Sequence, residues 1–249
     1  MNRDRYIGPF NRTSLPAWRC PSCAEGSLKL VPKSLFIKET VRSLSYHRHE
    51  NWEPDWTEAN YSALLKCFHC DEHVFSVGKT QPVEAYDDEH GLYLESALKP
   101  LYFQPPIQII PIPDECPHDV KTELISASSL FWSDLSASAN RIRTALELIL
   151  THKKINKTKL TNSRKRRILS LHERIELFKV KDPQLAEIML AVKWLGNAGS
   201  HTGSLNTNNV LEAFELLDHV IEHLFVKKLK RLRELTKGIN KKKGPGSSK

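Results

Sequence analysis

Two Cys-x-x-Cys pairs, Cys20-Pro-Ser-Cys23 and Cys67-Phe-His-Cys70, constrain this chain more than any other stretch. Each pair can fold into a tight knuckle that aims two thiolates at one point, and two knuckles complete a closed tetrahedral zinc site. The pattern predicts one structural Zn ion held by Cys20, Cys23, Cys67 and Cys70. Four of the five cysteines fall in these pairs, which suits metal ligation in a reducing compartment better than a disulfide framework. Unmetallated thiols or a redox pair are the alternatives, and the βαβ pattern of a thioredoxin-like redox motif is missing.

The 43 residues between the pairs exceed the usual zinc-ribbon spacer. They nevertheless read as strands over 27–31 and 34–41, with another strand at 73–77 after the second pair. His47, His49, His69 and His73 lie near this module and are read as surface or outer groups, because four thiolates already fill the coordination sphere. Trp52 and Trp56 have acidic neighbours, so they read as aromatics of a small core rather than as a base-stacking platform. Residues 1–97 form the expected zinc-ribbon-like module. Residues 98–116 contain five prolines in an apolar run and read as an extended linker lying along the next domain, with Ile107, Ile109 and Ile110 partly buried. Cys116 reads as a packed apolar residue.

From Pro117 the period turns helical. Apolar residues recur at i, i+3 and i+4 through Val120–Phe131, then Ile142–Leu150, Leu169–Phe178, Leu185–Val192 and Val210–Phe225. Asn208 is the expected cap of the last of these helices. Arg143 and Glu147, four apart, can pair on one helix face. Residues 153–167 read as a basic, mobile connection short of apolar residues and 237–249 as a disordered basic tail. The fold class is therefore α+β: a small N-terminal β-rich, zinc-ribbon-like module followed by an all-α bundle over 117–236.

Charge divides along the same line. Residues 1–116 hold 12 Lys and Arg against 16 Asp and Glu, a balance of −4. Residues 117–249 hold 25 against 13, a balance of +12. That asymmetry points to a polyanion as partner of the C-terminal half, nucleic acid above all, with a solvated basic surface as the bland alternative. Arg164, Lys165, Arg166, Arg167 and Lys193 are the expected contacts. No apolar run approaches the roughly 20 residues of a membrane span, and the first residues lack a signal peptide's apolar segment. A cytoplasmic protein without a membrane partner is the expectation.

The stretch Ala191–His201 gathers Gly196, Asn197, Gly199, Ser200 and His201 where a helix is expected to end. Trp194 and Leu195 are read as continuing that helix's apolar face. The polar groups suit chemistry or anion binding, or equally a polar helix cap.

Together these features resemble the domain of unknown function 4145 (DUF4145) family. The shared features are Trp18, Cys20, Pro21 and Cys23 with the second Cys pair, the proline-rich approach to the helices, Arg143 with Glu147, and Leu195-Gly-Asn ahead of Ser200-His201. That family is similar to the HEPN (higher eukaryote and prokaryote nucleotide-binding) helical bundles of bacterial defence, toxin–antitoxin and restriction-linked systems. The resemblance implies a HEPN-like bundle, a homodimer, and nucleic-acid or nucleotide binding, with RNA favoured over DNA. It also implies a site at His201 and Asn197, buttressed by Arg143 and Glu147. Active members are metal-independent ribonucleases in which an Arg precedes the His and clamps the scissile phosphate. In this chain Gly196 stands where that Arg belongs. Loss of such a clamp is worth roughly two to three orders of magnitude, so Arg143 or Lys193 would have to replace it. Three readings follow: a binding protein with little or no catalysis, an endoribonuclease using His201, and a non-catalytic protein-interaction module.

Overall fold

The computed structural model describes residues 1–89, 91–162, 164–201, 205–226 and 228–242, with backbone alone at 87, 198–201, 228–231, 233–234 and 242. The N-terminal half is an antiparallel sheet. Its strands are β1 (Leu28–Leu30), β2 (Phe36–Glu39), β3 (Ala59–Cys67), β4 (His73–Asp87) and β5 (Gly91–Gln104). β1 and β2 pair in turn along one edge of β3, which pairs with β4, which pairs with β5. Alternation explains the register. Ala59, Tyr61, Ala63, Leu65 and Cys67 of β3 are buried, whereas Asn60, Ser62 and Lys66 face solvent.

A short helix, α1 (Val41–Tyr46), lies between β2 and β3. Trp52 and Trp56 do not enter the module's core. They stack beside it on His47 and His49, with ring centroids 4.4 Å and 5.6 Å apart, and Trp56 is exposed. The acidic, proline-broken text around them supplies no strand to carry them inward.

The predicted linker begins too early. Residues 98–104 are the second half of β5, where Leu98 and Pro100 and, one residue out of step past a bulge, Phe103 are buried. Only the following prolines break the ladder, since proline lacks the N–H that a paired strand donates. Ile107, Ile109 and Ile110 are then buried outright, not in part. Cys116 is packed as expected, and burial pushes its thiol up to about 11.

Helices follow: α2 (His118–Leu130), α3 (Leu135–His152), α4 (Leu171–Lys179), α5 (Pro183–His201), α6 (Thr207–Phe225) and α7 (Lys228–Lys242). α3 is central and touches α2, α4, α5 and α6. Its inward stripe Ile142, Ala145, Leu146, Ile149 and Leu150 is almost wholly inaccessible, as is the stripe Val210, Phe214, Leu217 and Ile221 of α6. Asn206, not Asn208, caps α6: its side chain accepts from the Asn209 N–H, and Asn209 answers to the Asn206 N–H.

Two further expectations are corrected. The basic connection, read as a mobile link, carries a paired hairpin of β6 (Thr158–Leu160) and β7 (Arg166–Ile168). The helix expected to close over Ala191–His201 does so, running through Gly196 to His201. Residues 237–242 belong to α7, where Leu232, Leu235 and Ile239 extend a helical spacing across Gly238; 243–249 lie outside the described residues. Among the described residues no helix is long and apolar enough to cross a membrane.

Sheet and helices share one core. Trp18 and Phe10 of the N-terminal segment meet Phe103 of β5 and Trp132 after α2, with ring centroids 4.9–6.4 Å apart. Edge-to-face packing of this kind adds to simple area burial.

Candidate functional site

The four thiols of the two knuckles converge. Their Sγ atoms all lie within 4.8 Å of one another, with Cys20 and Cys70 at 3.6 Å and Cys23 and Cys67 at 3.8 Å. A tetrahedron of Zn–S bonds near 2.3 Å has edges of about 3.8 Å, so the donor set has the size zinc requires. Backbone N–H groups of Ser22, Gly26 and His69 point at the Sγ atoms of Cys20, Cys23 and Cys67 at 3.3–3.4 Å. These donors favour thiolates. The Gly26 amide foremost pulls the Cys23 thiol down to about 6. Cys70 behaves oppositely: against the pull of the Glu72 amide, desolvation and its three thiol neighbours push it up to about 12. Four thiols this close cannot all ionise without a cation to offset their charge, and a divalent ion supplies it. Cys20, Cys23, Cys67 and Cys70 thus form a plausible single zinc site.

Local sequence builds this site. Gly26 allows the close approach of the knuckles, since a Cβ there would stand 2.4 Å from Cys67 Sγ and 2.8 Å from His69 Cβ. Trp18, shortly before the first knuckle, is buried in the shared core and donates its indole N–H to the Arg5 carbonyl at 2.6 Å. His69 is exposed and pairs with Glu25, while His47 pairs with Glu39. Neither imidazole joins the thiol cluster.

The second grouping lies on the helices. Arg143 Nη1 donates to Asn197 Oδ1 at 2.8 Å, and Arg143 Nε lies 3.5 Å from Glu147 Oε1. Three of the four residues expected here are therefore together, across α3 and α5. The backbone of His201 ends α5, and its side chain lies outside the described residues. Gly196 is buried where the two helices touch: a Cβ would meet Arg143 Cβ at 3.1 Å and the Ala139 carbonyl at 3.4 Å. An Arg at 196 would have to be driven between the helices. The Arg143 guanidinium reaches the neighbouring residue instead.

Lys193 is not an exposed contact, which corrects the expectation from sequence. It is buried, with Nζ 3.3 Å over the Trp194 ring centroid. Trp194 itself is 59 % exposed instead of continuing the apolar face. The bulky ring faces out and shields the cation behind it.

Arg164, Lys165, Arg166 and Arg167 all lie exposed on the β6–β7 hairpin. They divide in role. Arg167 and, at 3.3 Å, Lys159 pair with Glu173 of α4, whose carboxylate also closes a capping box with Ser170. Those two cations fasten the hairpin to α4. Arg164, Lys165 and Arg166 have no acidic partner among the described residues. Lys153 is also engaged, donating to the Leu224 carbonyl at 2.6 Å at the end of α6.

Sequence reading missed Arg174. It lies on the inward face of α4 with Leu171, Ile175 and Phe178 and is 5 % exposed. A charge at an i+3 position of an apolar stripe is the signal that could have revealed it.

Fold and thiol cluster together define a four-cysteine β-module joined through one core to a helical bundle. Two family models divide the chain at the same place, so Trp18 and the Cys pairs, read from sequence as part of the DUF4145 resemblance, fall outside that family's match. Residues 126–242 carry a DUF4145 domain, described as a domain of unknown function, and residues 8–103 match DUF8608, also a domain of unknown function. Neither the curated proteins nor the solved structures provide a match to the chain.

Proposed function

We propose that this chain is a zinc-containing protein whose helical half binds nucleic acid, RNA in preference to DNA. It acts as an accessory or effector of a bacterial defence, toxin–antitoxin or restriction-linked system, most simply as a homodimer. One observation carries the reading: Arg164, Lys165 and Arg166 are held out on a hairpin that Glu173 fastens from behind, leaving three cations free of carboxylates among the described residues. Phosphate contacts release counterions, and for single strands each contact contributes about 0.7 to the slope of log affinity against log salt. Replacing all three by Gln therefore removes about 2 from that slope. The wild-type advantage shrinks roughly 20-fold between 50 and 200 mM salt. An unchanged slope refutes the assignment.

A ribonuclease is the second reading, and the Arg143–Asn197 contact beside Gly196 favours it. Arg143 supplies, from a neighbouring helix, the forked cation that the HEPN-like pattern places at 196. His201 would move the proton of the 2′-hydroxyl. The expected result is RNA cleavage in the presence of a chelator, leaving a cyclic phosphate, abolished in His201→Ala and weakened in Arg143→Lys. Absence of cleavage across a broad RNA panel leaves the binding reading alone.

A further inference from the structure

Behind the hairpin lies a cleft of about 360 Å³, open to solvent, between α3, β7 and the start of α4. Arg143, Lys157 and Arg174 line it, with Glu147 as an acidic residue on the same wall. Arg174 is the unusual member. Its guanidinium is buried, yet all of its hydrogen-bond partners are neutral: the Glu147 carbonyl at 3.0 Å, the Thr151 hydroxyl at 2.9 Å and the Ile155 carbonyl at 3.5 Å. Its Nε is buried without a partner. Glu147, the carboxylate on that wall, is drawn to Arg143 instead.

A buried cation without a paired anion is costly, and proteins tolerate it chiefly where something supplies the missing charge. Three cations against one carboxylate leave the cleft with a surplus of two positive charges, enough for a phosphate monoester dianion. Apolar side chains line the cleft as well. Leu148 and the 80 % exposed Ile168 are among them, and an exposed β-branched side chain beside an anion site suits the face of a base or sugar.

We infer that this cleft binds the phosphate monoester of a nucleotide, free or at the end of a strand, with the phosphate on Arg143 and Lys157, the buried charge of Arg174 behind it, and the nucleoside along Leu148 and Ile168. The choice of a nucleotide over other phosphates rests on the nucleic-acid reading above; the anion site does not.

Calorimetric titration of the full chain with a nucleoside monophosphate, the matching nucleoside and inorganic phosphate tests it. The monophosphate binds saturably and more tightly than inorganic phosphate, and the nucleoside does not bind. Lys157→Gln changes an exposed residue and leaves the fold intact. Arg174→Met removes the buried charge while keeping a long apolar stem. Each variant weakens monophosphate binding by about ten- to a hundredfold, as expected for a lost charge-assisted hydrogen bond at Lys157 and a lost neighbouring charge at Arg174. Should Arg174→Met fail to fold, Lys157→Gln decides alone. Titration of a 5′-phosphorylated against an unphosphorylated oligonucleotide separates a strand end from a free nucleotide. Absence of saturation, or binding indifferent to both variants, overturns the inference. Equal affinity for inorganic phosphate and monophosphate overturns its nucleotide part. The triple hairpin variant separates the two proposals: it loses RNA binding and keeps the monophosphate if both are right. If the hairpin reading alone fails, RNA binding survives that variant while monophosphate binding still responds to Lys157→Gln.

Discussion

Gly26→Ala tests the metal site without touching a ligand. The added methyl would stand 2.4 Å from Cys67 Sγ, with His69 Cβ at 2.8 Å on another side. Such atoms settle at roughly 3.5–4 Å, so the sulfur must retreat by about 1 Å. A Zn–S bond near 2.3 Å tolerates about 0.2 Å. Gly26 itself is not in the left-handed region, so the cost is steric and not conformational. Cys67 is wholly buried and has little room to yield. Perturbing the surroundings of a ligand in this way weakens metal binding by about 10- to 100-fold. That corresponds to about 1.4–2.7 kcal/mol of stability in excess zinc and a fall in Tm of roughly 3–10 °C for a chain of this size. Competition with a chromophoric chelator, with zinc content measured on the same samples, reads the effect directly. Equal resistance to the chelator in Gly26→Ala and wild type would show that the knuckles are not clasped around an ion.

Three other outcomes are expected. Gly196→Ala gains none of the roughly 1 kcal/mol that alanine usually brings to a helix interior, because its methyl meets Arg143 Cβ; Gly196→Arg destabilises by about 2 kcal/mol or more, and denaturant melts check both. Glu173→Gln retains every hairpin cation yet lowers RNA affinity, since Arg167 and Lys159 lose the carboxylate that fastens the strands; unchanged affinity in a filter-binding titration would contradict that role. Asp218 is raised to about 6 by desolvation foremost, then by Glu222, and its Oδ1 is buried without a hydrogen-bond partner. Its folded pKa exceeds the unfolded value, so its ionisation costs stability above pH 6 and the cost disappears below about pH 4. Asp218→Asn is therefore more stable than wild type at pH 8, on the order of 1 kcal/mol once solvent screening is allowed for, and equal at pH 4; a gap that does not change with pH refutes the assignment.

The features legible in the sequence were those written within a few residues. The C-x-x-C pairs specify knuckles locally, and α6 declares itself by an unbroken 3.6-residue stripe ending at Phe225. What escaped depended on distant partners. The β6–β7 hairpin has exposed strands and owes its place to Glu173, which no local pattern announces. That Ala191–His201 closes a helix was legible, but not why glycine stands at 196: α3 presses so closely there that only a small residue carries the helix through. Trp194 follows from the same contact: the face α5 gives to α3 centres on Gly196 and Val192, leaving the indole outside. Of the candidate site, Arg143 and Glu147 were visible as a pair four apart. Their meeting with Asn197 required knowing how two helices, 54 positions apart in sequence, cross.

The ring cluster of Trp18, Phe10, Phe103 and Trp132 has a consequence for how the molecule comes apart. Neither half owns these aromatics outright, so a cut in the proline-rich stretch would leave each fragment with half a greasy seam facing water. Calorimetry on the intact chain should record a single melting event. The line between its two family segments would then be a division of text and not of cooperativity.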